Sequence, residues 1–215
     1  MRFFAVPLVA LALAPIALAG GGYQSSVHTL SPSVRSRLVQ GGFWHKGCPV
    51  SLSDLRVLRV TYWGFDGHAH TGQLVTNKRA AAPLANVFHR IYRLHFRIHY
   101  MSIRDTYTRH GPADPSGSFE CRQAVPSPCV GGTGTGSWSM HAYGLAVDVN
   151  PVENPYVGCG MTHSPTTRPY LDRSRHRKGM VTPAVIAAFR SVGWGWGGSW
   201  SGNTKDYMHF SSTGH

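Results

Sequence analysis

Acidic residues are scarce in this chain: nine Asp and Glu stand against 21 Lys and Arg in 215 residues, a formal net charge of +12 with histidine neutral. So few carboxylates exclude an acidic tract, and the position of each one carries weight. Cysteine is limited to Cys48, Cys121, Cys129 and Cys159, none at Cys-x-x-Cys spacing, which argues against a cysteine-based metal site. No internal repeat and no long linker occurs, so the chain reads as one domain with a core of its own. A single long apolar run exists, Phe3 to Leu18. Arg2 precedes it, and Ala17-Leu18-Ala19 has the small-x-small form that a signal peptidase cuts. The run is too short, and too soon followed by Gly20-Gly21-Gly22, to span a membrane. A signal peptide over residues 1–19 is therefore expected, leaving 196 of the 215 residues and a charge of +11 once Arg2 is gone.

An exported chain of this charge is drawn to polyanions. Its basic residues are scattered rather than gathered in one run, and anionic cell-envelope polymers suit the export signal better than nucleic acid, which is not expected as a partner. Four cysteines in an oxidising compartment permit two disulfides, with three pairings open.

Residues 20–50 are rich in Gly and Ser with few periodic apolar positions, and read as an extended N-terminal arm before a domain at 51–215. Leu58, Val60 and Tyr62 alternate with Arg59 and Thr61 as in a half-buried strand, Gly64-Phe65-Asp66-Gly67 turns, and Gln73 to Thr76 returns as the second strand of a hairpin. Leu84, Val87, Phe88, Ile91, Tyr92 and His95 fall at helical spacing, with Pro83 taken into the first turn. Arg97 to Ile103 reads as a further strand, Gly111 to Gly136 as a long loop, and Leu145 to Val149 as a short strand carrying Asp148. A second basic loop runs over 158–180. Thr182-Pro183 opens a helix, with Val185, Ile186, Phe189 and Val192 on its buried face, that ends at Gly193. Helices beside a small antiparallel sheet give an α+β domain.

Two of the nine acids sit where chemistry would use them. Ser139-Met140-His141-Ala142-Tyr143-Gly144-Leu145-Ala146-Val147-Asp148 supplies one imidazole and one carboxylate, and Asp206-Tyr207-Met208-His209 adds a carboxylate and a second imidazole. A catalytic zinc site needs three protein ligands, an open position and a base for the attacking water. His141, Asp148 and His209 form the candidate ligand set, and Asp206 is the candidate base. Alternation along a strand puts Gly144, Ala146 and Asp148 on one face, with room for a metal and a substrate backbone. His68 and His70 share an i, i+2 spacing but have no evident third partner. His163 and His176 fall in the basic loop. Trp194, Trp196 and Trp200 are either packing or cleft-lining residues.

These stretches resemble the zinc peptidases that include D-alanyl-D-alanine carboxypeptidases and L-alanyl-D-glutamate endopeptidases (peptidase family M15), with the pattern Ser-x-His-x-x-Gly-x-Ala-x-Asp and then Asp/Glu-x-x-His. Asp at 206 and Gly193-Trp194-Gly195-Trp196-Gly197-Gly198 are similar to the endopeptidase branch, and the resemblance extends from about Asp54 to Phe210. It implies a hedgehog/D-Ala-D-Ala peptidase-like fold with zinc on the sheet, Zn²⁺ held by His141, Asp148 and His209, and Asp206 as general base. It further implies an Arg that polarises the scissile carbonyl. Arg122 is the candidate, with Arg104 and Arg109 as alternatives, and Ser139 either binds the substrate backbone or shapes the turn. The implied protein is a monomeric metallopeptidase, secreted, periplasmic or wall-associated, that cuts peptidoglycan stem peptides. The alternative is a non-catalytic zinc-containing cell-wall-binding or signalling domain of the same fold.

Overall fold

A computed structural model describes residues 22–106, 114–126, 136–162 and 164–215. The expected signal peptide, Arg109, Cys129 and His163 lie outside these residues. Ser25–Thr29 (β1), Leu55–Trp63 (β2) and Ala69–Asn77 (β3) form an antiparallel sheet in the order β1-β2-β3. The hairpin of β2 and β3 runs in register from Leu55↔Asn77 to Trp63↔Ala69. It closes through Gly64, whose N–H donates to the His68 carbonyl at 2.8 Å.

The stretch expected to be an extended arm instead supplies β1 and a helix, Pro32–Gln40 (α1). β1 is exposed along its whole length and has no apolar alternation to announce it. Its stability comes from the ladder with β2, Ser25↔Val60 to Thr29↔Arg56. α1 is capped by the Ser31 hydroxyl and buries only Leu38.

The sheet has apolar residues on both faces, and that divides the core. Leu58, Val60, Tyr62 and Leu74 face the larger cluster. Lys78–Arg93 (α2) covers this side with Ala80, Leu84, Val87, Phe88 and Ile91, the spacing of one helical stripe. Leu55, Val57 and Val75 face the other way, against Leu30, Leu38, Ile103, Phe119 and Cys121. Pro83 lies inside α2 rather than in its first turn, where it leaves one backbone acceptor without its helical donor.

Arg97 to Ile103 is not a strand. Its residues make single bridges to separate partners, Trp63 with Arg97 and Tyr100 with Pro115, and the chain turns helical at Ile103–Thr106 (α3). Among the described residues no continuous neighbour offers it a ladder.

Ala146–Asp148 (β4), Tyr156–Val157 (β5), Pro183–Arg190 (α4), Gly195–Trp196 (β6), Lys205–Asp206 (β7) and His209–Ser211 (β8) complete the fold. A second sheet has the order β4-β8-β6, and β5 pairs with β7. The Thr182 hydroxyl accepts from Val185 N at the start of α4, as the Thr-Pro pair leads one to expect. Phe189 of α4 stacks on Phe210 of β8 at 3.8 Å between ring centroids, tying the second sheet to the main cluster. The architecture is α+β. Among the described residues no helix is long and apolar enough to cross a membrane.

A disulfide joins Cys48 to Cys121 across 73 residues, and Cys159 is also disulfide-bonded. Closing a loop of that length stabilises the fold by about 4 kcal/mol in the chain-entropy picture.

Gly144 follows the 3-10 turn Met140–Tyr143 with φ +65°, and is not on the strand face with Ala146 and Asp148. An added Cβ would lie 2.7 Å from the Asn77 backbone nitrogen. Asn77 needs that closeness. Its N–H donates to the Gly144 carbonyl at 2.9 Å, and its side chain caps α2 while donating to the Tyr143 carbonyl at 2.9 Å. Gly144→Ala is expected to lower unfolding free energy in urea by about 1–3 kcal/mol, combining left-handed strain with a backbone clash.

Candidate metal and active site

The register of β4 on β8 assembles the site. Asp148 lies opposite His209 and Val147 opposite Phe210. Directly opposed residues of an antiparallel pair share a face, so Asp148 and His209 project together while Val147 and Phe210 turn into the core. His141 arrives from the 3-10 turn before β4. That turn is capped at its start by Ser139, whose hydroxyl accepts from His141 N at 3.3 Å, and ended by Gly144.

Three potential ligand atoms converge here. His141 Nε2 is 3.2 Å from Asp148 Oδ2 and 3.1 Å from His209 Nδ1, which is 3.3 Å from Asp148 Oδ1. Tetrahedral zinc with bonds of about 2.0–2.1 Å places its ligands roughly 3.3 Å apart, so the triangle fits such an ion. His141 Nδ1 donates to the Ser118 carbonyl at 2.5 Å, which fixes the proton on that nitrogen and turns the Nε2 lone pair inward. Two imidazole nitrogens facing each other beside a carboxylate are a donor set for a cation. His209 Nε2 is buried with no hydrogen-bond partner.

Electrostatics agree with the geometry. Burial opposes the Asp148 anion, but His141 and His209 together outweigh it and hold the carboxyl well below the usual range. Burial likewise opposes the His141 cation, and Asp148 reverses the net shift to upward.

Asp206, on β7 opposite Tyr156 of β5, lines the same cleft of about 460 Å³. Its Oδ1 is buried without a hydrogen-bond partner. Burial, then the Asp148 charge, pushes its carboxyl up to about 7, against the pull of His209 and Arg122. Gly197 makes this placement sterically feasible, since a Cβ there would sit 2.5 Å from the Asp206 carbonyl oxygen.

Arg122 also lines the cleft, with Nε on Glu120 Oε2 at 2.9 Å and Nη1 on the Gln123 carbonyl at 3.3 Å. Arg104 is an exposed residue of α3 and does not line this cleft. Ser139 borders the cleft and caps the turn under His141. Of the three tryptophans, Trp200 lines the cleft, with its ring 5.9 Å from His209. Trp194 is buried in the core, and Trp196 donates its indole N–H to the Tyr207 carbonyl. His70 pairs with Asp66 at 2.9 Å at the surface.

Sequence reasoning missed Trp138, Tyr156 and Met208 as cleft residues and the Ser118 carbonyl as the support of His141. A backbone acceptor leaves no trace in residue type. Tyr156 follows Asn154-Pro155, a turn signal that could have marked the segment as shaped rather than slack.

Residues 133–212 match a family model described as D-alanyl-D-alanine carboxypeptidase. No curated protein and no solved structure matches the chain. The matched segment contains Ser139, His141, Asp148, Asp206 and His209, and Arg122 precedes it.

Because the folded carboxyl of Asp206 is raised from 3.8 to about 7, its stabilising contribution is full below the unfolded value and is lost as pH rises through 7. In metal-free protein, Asp206→Asn should melt with wild type at pH 4 and roughly 3–8 °C above it at pH 8, measured by calorimetry. Equal melting at both pH values would refute a buried, unpaired Asp206 carboxylate.

Proposed function

We propose, from the match of residues 133–212 to the D-alanyl-D-alanine carboxypeptidase family model, that the chain is an exported zinc metallopeptidase hydrolysing amide bonds in peptidoglycan stem peptides. The observation that carries this reading is the convergence of His141 Nε2, Asp148 and His209 Nδ1 within one cleft that also holds the buried, unpartnered Asp206 Oδ1. A structural metal site has no use for that fourth group.

His141, Asp148 and His209 would hold the ion, and zinc when bound supplies Lewis acidity at the scissile carbonyl. The rest falls to the chain. Asp206, whose Oδ1 is buried in the cleft without a partner, accepts the proton of the attacking water and returns it to the departing amine as the C–N bond breaks. The guanidinium of Arg122, oriented by Glu120, offers positive charge to the oxygen that becomes negative during attack. Ser139 keeps His141 in its turn, and the cleft walls of Trp138, Met140 and Trp200 exclude water from the bound peptide. A leader over residues 1–19 and an oxidised Cys48–Cys121 pair support an extracytoplasmic location. The +11 mature chain supports an approach to anionic wall polymers, and a single chain suffices for the site.

Defined stem peptides, incubated with the mature protein and separated by mass spectrometry, test the proposal. Cleavage should stop with chelator. Asp206→Ala should keep the metal while its kcat falls by about 10²–10⁴. His141→Ala should lose cleavage together with the ion held by His141, Asp148 and His209. Undiminished turnover by Asp206→Ala would remove it as the base, and cleavage that survives chelation would remove the metal from the reaction.

A further inference from the structure

A second cluster lies beyond the loop that follows β4. His99 Nδ1 is 2.7 Å from Asp114 Oδ2 and 3.8 Å from Glu153 Oε1. Asp114 is 4% and Glu153 3% exposed, a placement that is costly for two carboxylates side by side. Among the described residues no Lys or Arg makes an ion pair with either, although the chain carries 21 such cations. Glu153 Oε2 is buried with no hydrogen-bond partner among the described residues, and one ligand atom from each of His99, Asp114 and Glu153 lies within 4.8 Å of the other two.

We propose that His99, Asp114 and Glu153 form a second metal site, separate from His141, Asp148 and His209, that takes a divalent transition ion such as Zn²⁺ or Mn²⁺. Two carboxylates neutralise a dication, and the imidazole selects against Ca²⁺ and Mg²⁺, which prefer all-oxygen sets. The half-exposed His99 ring gives the ion a path from solvent. Its stacking on Phe65 at 4.6 Å holds the ring over the carboxylates. The surrounding backbone is already fixed. Asp114 Oδ1 accepts from Val152 N at 2.6 Å, His99 N donates to Asn150 Oδ1 at 2.9 Å, and Arg173 donates to the Glu153 carbonyl at 2.9 Å.

The ion would join three segments far apart in sequence, one of which runs from Asp148 to Tyr156. That segment links the first ligand set to the strand facing Asp206. The second ion is thus a brace for the catalytic loop and takes no part in the reaction.

Tag-free mature protein saturated with Zn²⁺, freed of excess by gel filtration and analysed by plasma mass spectrometry, should hold two equivalents per chain. Glu153→Gln and His99→Ala should each hold one, as should His141→Ala. His99 is half exposed, so its replacement tests the site even where Glu153→Gln fails to fold. Zinc should also raise the melting temperature of wild type more than that of His99→Ala. One equivalent in wild type, or two in both His99→Ala and Glu153→Gln, would overturn the site.

Discussion

The register of β4 against β8 is the constraint on which the site depends. With Asp148 opposite His209, both polar groups share one face and Val147 and Phe210 share the other. A slip of one residue would send Phe210 into the cleft and His209 into the core. The apolar half of this arrangement enforces the polar half. Phe210 is fully buried and stacked on Phe189, so the face it occupies leaves His209 one direction to point. The convergence of Asp148 and His209 is in this sense a consequence of core packing. His141 joins from outside the strand, and its position rests on local devices: the Ser139 cap, the left-handed Gly144 and the Ser118 carbonyl.

Scarcity of acids sharpens the electrostatics. In a chain so rich in Lys and Arg, surface carboxylates have cations within reach, as Asp54 and Lys78 show at 2.8 Å. Asp148, Asp206, Asp114 and Glu153 are placed otherwise: among the described residues none makes an ion pair with Lys or Arg, and Asp148, Asp114 and Glu153 stand beside histidine. Folding spends stability on holding them there, and such sites are where binding and catalysis are found.

Much of this was legible in the sequence where the signal is local. The alternation of Leu58, Val60 and Tyr62, the stripe of Leu84, Val87, Phe88 and Ile91, and the Thr182-Pro183 start each depend on near neighbours, and each appears in the structure. The spacing of His141, Asp148, Asp206 and His209 was legible because an acid-poor chain makes such a grouping stand out. What escaped depends on distant partners. Ser25–Thr29 is polar throughout and becomes a strand only because β2 offers an edge, and α1 is held by one buried leucine. Arg97 to Ile103 has strand-like composition but meets isolated partners. The pairing of Cys48 with Cys121 follows from the second core cluster, which brings Leu38, Val75 and Phe119 together, and no spacing rule contains that information.

Anomalous diffraction at the zinc edge from crystals of the zinc-loaded protein tests the central arrangement most directly. The expected result is a peak bonded to His141 Nε2, an Asp148 oxygen and His209 Nδ1 at about 2.0–2.2 Å, with Asp206 nearby but unbonded. A peak ligated by Asp206 in place of Asp148, or no peak in this cleft, would contradict it.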